Sequence, residues 1–176
     1  MGSDPRVNRA DAKPGTAPAI DPGVRIGHVH LKVADIERAL GFYRDVLGFE
    51  VQQRGPGVVF VSAGGYHHHL GLITWNSRGG APPPPGSTGL YHVAILYPTR
   101  AALALALRRV IAANIPLDGA ADHGASEALY LRDPDGNGIE LYWDRPAGEW
   151  PRDEAGKIAM FSDPLDLDAL LASAAE

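Results

Sequence analysis

Hydrophobic positions along this chain fall into two kinds of run, and both recur in the same order. Short runs rich in β-branched and aliphatic residues predict strands, while longer runs with apolar residues three or four apart predict helices. IGHVHLKVADIERALGFYRDVLGFEV opens one half and LYHVAILYPTRAALALALRRVIAANIPL the other. Each begins with a short strand, and His28 and His92 stand at corresponding places on it. Each then enters a helix. Asp35 is placed to cap the first, and Ile36, Leu40, Tyr43 and Leu47 repeat at helical spacing up to Gly48, the expected C-terminal glycine. In the second half Thr99 takes the capping place. Leu103, Leu107, Val110 and Ile111 form the stripe, and Pro116 marks a helix already ended. Three strand-like runs follow each helix: FEVQQR, VVFVSA and HHLGLITW, then IPLDGA, EALYLRD and GIELYWD. The order βαβββ is thus written twice, about 65 residues apart.

This repeat divides the chain. Module one covers residues 24–76, a stiff proline-rich linker 77–88, and module two 89–146, together one domain over 24–146. Residues 1–23 read as a flexible arm, and 147–176 as a C-terminal extension. In the extension, DPLDLDALLASAAE predicts a short amphipathic helix with Asp163 as cap and Pro164 in the first turn. That helix is free to dock on its own domain or on a second copy in a homodimer.

Charge and composition then narrow the function. A net charge of −5 with no Lys/Arg run excludes a nucleic-acid-binding surface. No apolar segment is long enough to cross a bilayer, and the N-terminal residues lack the apolar core of a signal peptide, so a cytoplasmic protein without a membrane partner is expected. There is no cysteine. Thiolate zinc sites and cysteine nucleophiles are therefore excluded, and any metal must be held by His, Asp or Glu.

One stretch stands out. GYHHHLGLITW sets three consecutive histidines at the entry of a predicted strand. A strand sends alternate side chains to opposite faces, so His67 and His69 are expected on one face and His68 on the other unless a bulge intervenes. Taken alone, the stretch reads as a polar strand entry. DPDGNG, by contrast, holds the residues a tight turn requires and lacks the spacing of a Ca²⁺ loop. Trp75, Trp143 and Trp150 read as packing residues.

The two module openings and LRDPDGNGIELYWDRP together resemble the vicinal oxygen chelate superfamily, which includes glyoxalase I, bleomycin-resistance proteins and type I extradiol dioxygenases. The resemblance covers residues 24–146 and is nearest to single-domain members like catechol 2,3-dioxygenase. It implies an α+β fold, in which two βαβββ modules form a curved, partly closed eight-stranded mixed sheet around a metal site. The family's metal positions fall on His28, His92 and Glu140, a two-histidine, one-carboxylate set that suits Fe(II), with Mn(II) or another divalent metal as alternatives.

Further positions follow from the same resemblance. Extradiol dioxygenases carry an acid–base histidine in the pattern His-x-x-Ala/Gly-Leu/Phe, which His68 to Leu72 fits, with His69 as reserve. The family tyrosine ten places before the ligand glutamate is Tyr130, and the histidine upstream of it is His123. His30, His69 and Trp143 are expected to border the substrate pocket. Glyoxalase I adds a carboxylate at the module-one counterpart of Glu140, where this chain has Gly71 or Leu70. No Asp or Glu occurs between Glu50 and Asp118. The implied activity is an extradiol ring-cleavage dioxygenase of aromatic catabolism that takes a catechol-type diol and O₂. The alternatives are a glyoxalase-like isomerase or lyase and a protein that sequesters an aromatic ligand.

Overall fold

The computed structural model describes residues 19–175, so the expected N-terminal arm lies, through residue 18, outside the described residues. Module one forms β1 (Val29–Lys32), α1 (Ile36–Tyr43), β2 (Glu50–Gly55), β3 (Val58–Ser62) and β4 (Leu70–Ile73). Module two forms β5 (Val93–Leu96), α2 (Arg100–Ala112), β6 (Leu117–Asp122), β7 (Ser126–Arg132) and β8 (Gly138–Asp144). A short strand β9 (Asp163–Pro164) and a helix α3 (Leu167–Ala172) follow in the extension. Among the described residues, no helix is long and apolar enough to cross a membrane.

The caps act as the residue types require. The Asp35 carboxylate accepts from the Arg38 N–H at 2.8 Å and the Thr99 hydroxyl from the Ala102 N–H at 3.1 Å. α1 ends at Tyr43, four residues short of the expected stop. The chain then turns on to Gly48, whose φ of +87° only a residue without Cβ adopts at little cost.

Strand order is β1-β4-β3-β2 in one sheet and β5-β8-β7-β6-β9 in the other. In each, the first strand runs parallel to the fourth, and the second to fourth run antiparallel. The duplication extends to an irregularity. Pairing shifts between Val51 and Gln53 and again between Leu117 and Gly119, leaving an extra residue at the same place in each second strand.

The expected single sheet of eight strands is corrected here. Two mixed sheets of four and five strands form instead, not closed into a barrel. The fifth strand of the second sheet comes from the extension, where β9 pairs with β6 through Ala121↔Pro164 and Asp122↔Asp163. An edge strand tolerates Pro164, which has no N–H to donate. The C-terminal helix therefore starts later than the sequence suggests. Its cap is Asp166, which accepts from the Ala169 N–H at 2.9 Å.

Alternation along the strands decides where the core sits. Leu31, Val59, Val61, Leu70 and Leu72 turn to the α1 side, and Leu129, Leu131, Ile139 and Leu141 to the α2 side, all within one buried cluster. Burying each such side chain contributes roughly 1.5–3 kcal/mol. α2 contributes Leu103, Leu107 and Val110 as expected, but Ile111 is 52% exposed and Ala104 and Ala106 take core places.

The DPDGNG turn also clamps the modules together. Tyr43 of α1 donates to the buried Asp133 carboxylate at 2.9 Å, and Asp135 accepts from the Ala34 N–H at 2.9 Å and pairs with Arg38. Burial and Asp133 push the Tyr43 phenol pKa upward, so it stays a donor. With the core on the helix side of each sheet, the opposite face of each stays open.

Candidate functional site

Register places one row of side chains across each open face. In module two it runs Ala94, Glu140, Tyr130, Gly119; in module one the equivalent row is His30, Gly71, Phe60, Gln53. Gly71, of the two candidates Gly71 and Leu70, is thus the register counterpart of Glu140.

The module-two row is linked by hydrogen bonds. His92, just before β5, meets Glu140 with Nε2 2.9 Å from Oε2. Tyr130 donates to Glu140 Oε1 at 3.2 Å, and His123 Nε2 lies 2.7 Å from the Tyr130 hydroxyl. The far nitrogen of His123 is 2.9 Å from the Phe161 carbonyl, so the extension that supplies β9 also holds this imidazole. The chain has two proton arrangements. The Tyr130 O–H serves one acceptor at a time, either Glu140 Oε1 or, when the far nitrogen of His123 donates to Phe161, His123 Nε2. Burial first, then the Glu140 charge, pushes the Tyr130 pKa up to about 12, so the phenol keeps its proton. A cavity of about 370 Å³ opens here, with Tyr91, His92, His123, Tyr130 and Ser162 on its wall.

The module-one face is a cluster of imidazoles. Ligand atoms of His28, His30 and His68 all lie within 4.8 Å of one another. Ring centroids of His28 and His68 are 4.4 Å apart, and His68 stacks on Phe60 at 4.6 Å. His68 Nδ1 is 2.8 Å from Nδ1 of His67, leaving Nε2 turned toward His30 at 3.4 Å. Desolvation, then the neighbouring histidines, hold the His68 pKa below the ordinary value, which favours the neutral ring. Alternation does not apply to the triple histidine, because β4 begins only at Leu70. His67 stays beside His68, while His69 accepts from the Ala63 N–H at 3.3 Å and stacks on Tyr66.

The structure therefore brings together His92, Glu140, Tyr130 and His123 on one face, and His28, His30 and His68 on the other. It does not gather His28, His92 and Glu140 into one set. Among the described residues, His28, His30 and His68 are the single group of three whose ligand atoms are mutually within 4.8 Å. Trp143 packs against the core, on the side of β8 opposite Glu140. Phe60 and the Phe161 carbonyl escaped sequence reasoning. Pairing of β3 with β4 gives Phe60 its place, and the return of the extension onto β6 gives Phe161 its own.

The donors on both faces fit a divalent metal. Two ligands about 2.1 Å from one six-coordinate ion stand about 3 Å apart, close to the 2.9 Å between His92 Nε2 and Glu140 Oε2. Among the described residues, His92 Nδ1 is buried without a hydrogen-bond partner. A metal on Nε2 would settle the tautomer by leaving the proton on Nδ1.

The chain is similar to known proteins. The chain is 40% identical over 158 residues to the Bacillus subtilis protein named catechol-2,3-dioxygenase, covering 90% of this chain and 55% of that one. It is 34% identical over 124 residues to biphenyl-2,3-diol 1,2-dioxygenase 3 of Rhodococcus globerulus, covering 68% of this chain and 63% of that one. The chain thus spans little more than half the length of these curated relatives. A crystal structure of lactoylglutathione lyase from Agrobacterium tumefaciens superposes with a TM-score of 0.54 at 30% identity, covering 70% of this chain and 96% of that one. Residues 25–141 match the Glyoxalase/Bleomycin resistance protein/Dioxygenase superfamily, and the chain, with its duplicated βαβββ sheets, belongs to that superfamily.

Proposed function

We propose that the protein is an extradiol ring-cleavage dioxygenase that opens a catechol-type diol with O₂ in cytoplasmic aromatic catabolism. His28, His92 and Glu140 are the metal ligands in this reading, with Fe(II), or Mn(II) in its place. The observation that carries it is the facing pair His92–Glu140 beside a phenol that keeps its proton. The relatives named as dioxygenases of catechol and biphenyl-2,3-diol support the substrate class.

One chain carries His28 and the His92–Glu140 pair on separate sheets, so the triad requires module one of one copy to face module two of another. Large exposed apolar side chains flank both halves, Ile26 at 90% beside His28 and Tyr91 at 82% beside His92, and would be covered in such a homodimer.

When bound, the metal supplies coordination places for both diol oxygens and O₂ and a path for electrons between them. The residues of the chain handle protons and position. His68, fastened at Nδ1 by His67 and neutral at neutral pH, takes the second hydroxyl proton at Nε2 and returns it as the ring opens. Tyr130 donates its O–H to developing negative charge, and His123 holds the phenol in place. The carbon–carbon bond beside the diol breaks, and both atoms of O₂ enter the product.

The isomerase reading keeps support from the lactoylglutathione lyase structure, but Gly71 offers no carboxylate where that chemistry takes a fourth ligand. A direct assay separates the readings. Fe(II) is loaded without air, a panel of catechols is added, and air is admitted. O₂ uptake with a yellow ring-opened product is expected. Binding without O₂ uptake across the panel would favour sequestration, and turnover of a hemithioacetal with Ni²⁺ or Zn²⁺ would favour the isomerase.

A further inference from the structure

The glycine at the module-one counterpart of Glu140 leaves a space, and that space is filled. A Cβ built on Gly71 would lie 2.6 Å from Cδ2 and 2.8 Å from Nε2 of His30. The imidazole of His30 therefore lies over the backbone where a side chain at position 71 would start. Across the β1–β4 pair a large ligand-bearing residue faces a glycine, whereas across β5–β8 the small residue is Ala94 and the ligand-bearing one Glu140. In module one the donor of this pair is a nitrogen on the first strand, and in module two an oxygen on the fourth.

We propose that module one holds a divalent transition metal by itself, through the imidazoles of His28, His30 and His68. Two nitrogens about 2.1 Å from one tetrahedral ion stand about 3.4 Å apart. Nε2 of His30 and Nε2 of His68 are 3.4 Å apart, and His28 completes the three-nitrogen set within 4.8 Å. His67 fixes His68 by its other nitrogen at 2.8 Å, the support that metal-binding imidazoles ordinarily have. Three neutral nitrogens without a carboxylate select zinc, cobalt, nickel or copper over magnesium and calcium. Because His28 belongs both to this set and to the triad completed between copies, the two sites exclude each other: an ion held by module one leaves the triad incomplete and occupies the His68 Nε2 that would accept the proton. The inference does not depend on the reaction, since its test reads metal affinity alone.

The test uses the full chain carrying His92→Ala and Glu140→Gln, which removes the module-two ligands. Metal-stripped protein is titrated with Zn²⁺ against a chromogenic chelator, with circular dichroism confirming the fold of each variant. One equivalent of Zn²⁺ is expected to bind. Adding His30→Ala should weaken binding at least tenfold. Adding Gly71→Ala should weaken it at least fivefold with every imidazole retained, because the new Cβ displaces the His30 ring. No uptake by the His92→Ala/Glu140→Gln chain would overturn the proposal, as would affinity unchanged by either His30→Ala or Gly71→Ala in a folded variant.

Discussion

The two modules share strand order, parallel closing pair and even the extra residue in the second strand, yet their open faces differ in chemistry. Module two presents a carboxylate, a phenol and two imidazoles in one hydrogen-bonded line. Module one presents an all-imidazole cluster on a phenylalanine floor. The same backbone row carries Glu140 and Tyr130 in one copy of the repeat and Gly71 and Phe60 in the other. Duplication thus supplies the geometry, and substitutions at equivalent register positions divide the work. Module two offers a carboxylate and hydrogen-bond donors, and module one offers imidazoles alone.

This contrast can be broken at either face. The largest effect is expected from His68→Ala, which removes the neutral imidazole of module one. Ring-cleavage turnover should fall about 10²–10⁴-fold while iron content of the assembled protein persists, read by metal analysis beside O₂ uptake. In wild type the acid limb of the rate profile should lie below the ordinary histidine range. A lowered pKa keeps His68 neutral, and so able to accept a proton, to lower pH.

Tyr130→Phe makes the module-two row copy module one at that position and removes a donor. Turnover should drop about 10²-fold. Because the phenol titrates only at about 12, the variant should keep the shape of the wild-type pH profile below about pH 10 while losing height.

The smallest effect comes from the clamp between modules. Tyr43→Phe removes one donor to Asp133, which keeps the Asn137 side-chain amide at 2.9 Å. Thermal unfolding should show a loss of about 1–2 kcal/mol, a shift of a few degrees, without a change in the rate profile.

Local features were legible in the chain. The repeat and the helix caps Asp35 and Thr99 follow from periodicity and residue type, which report on near neighbours; the counterpart of Glu140 stayed open between Gly71 and Leu70 until strand register selected Gly71. The row His92–Glu140–Tyr130–His123 was legible only through its family pattern. What escaped depends on pairing between distant segments. His30 over Gly71 needs the parallel register of β1 on β4, and Phe161 on His123 needs the extension to return to β6. The placement of His28 and His92 beside separate sheets depends on which strands pair, and that is not written in any local run of residues. DPDGNG has turn composition whether or not it also clamps a neighbouring module, so its second role was invisible.

The central claim is that the site is completed between two copies. It is tested most directly by mixing a His28→Ala chain with a Glu140→Ala chain and isolating mixed dimers through two different affinity tags. Each variant alone should be inactive. The mixed dimer has one intact site out of two, so about half of wild-type O₂ uptake with a catechol is expected. Mixed dimers that form yet stay inactive would contradict the account.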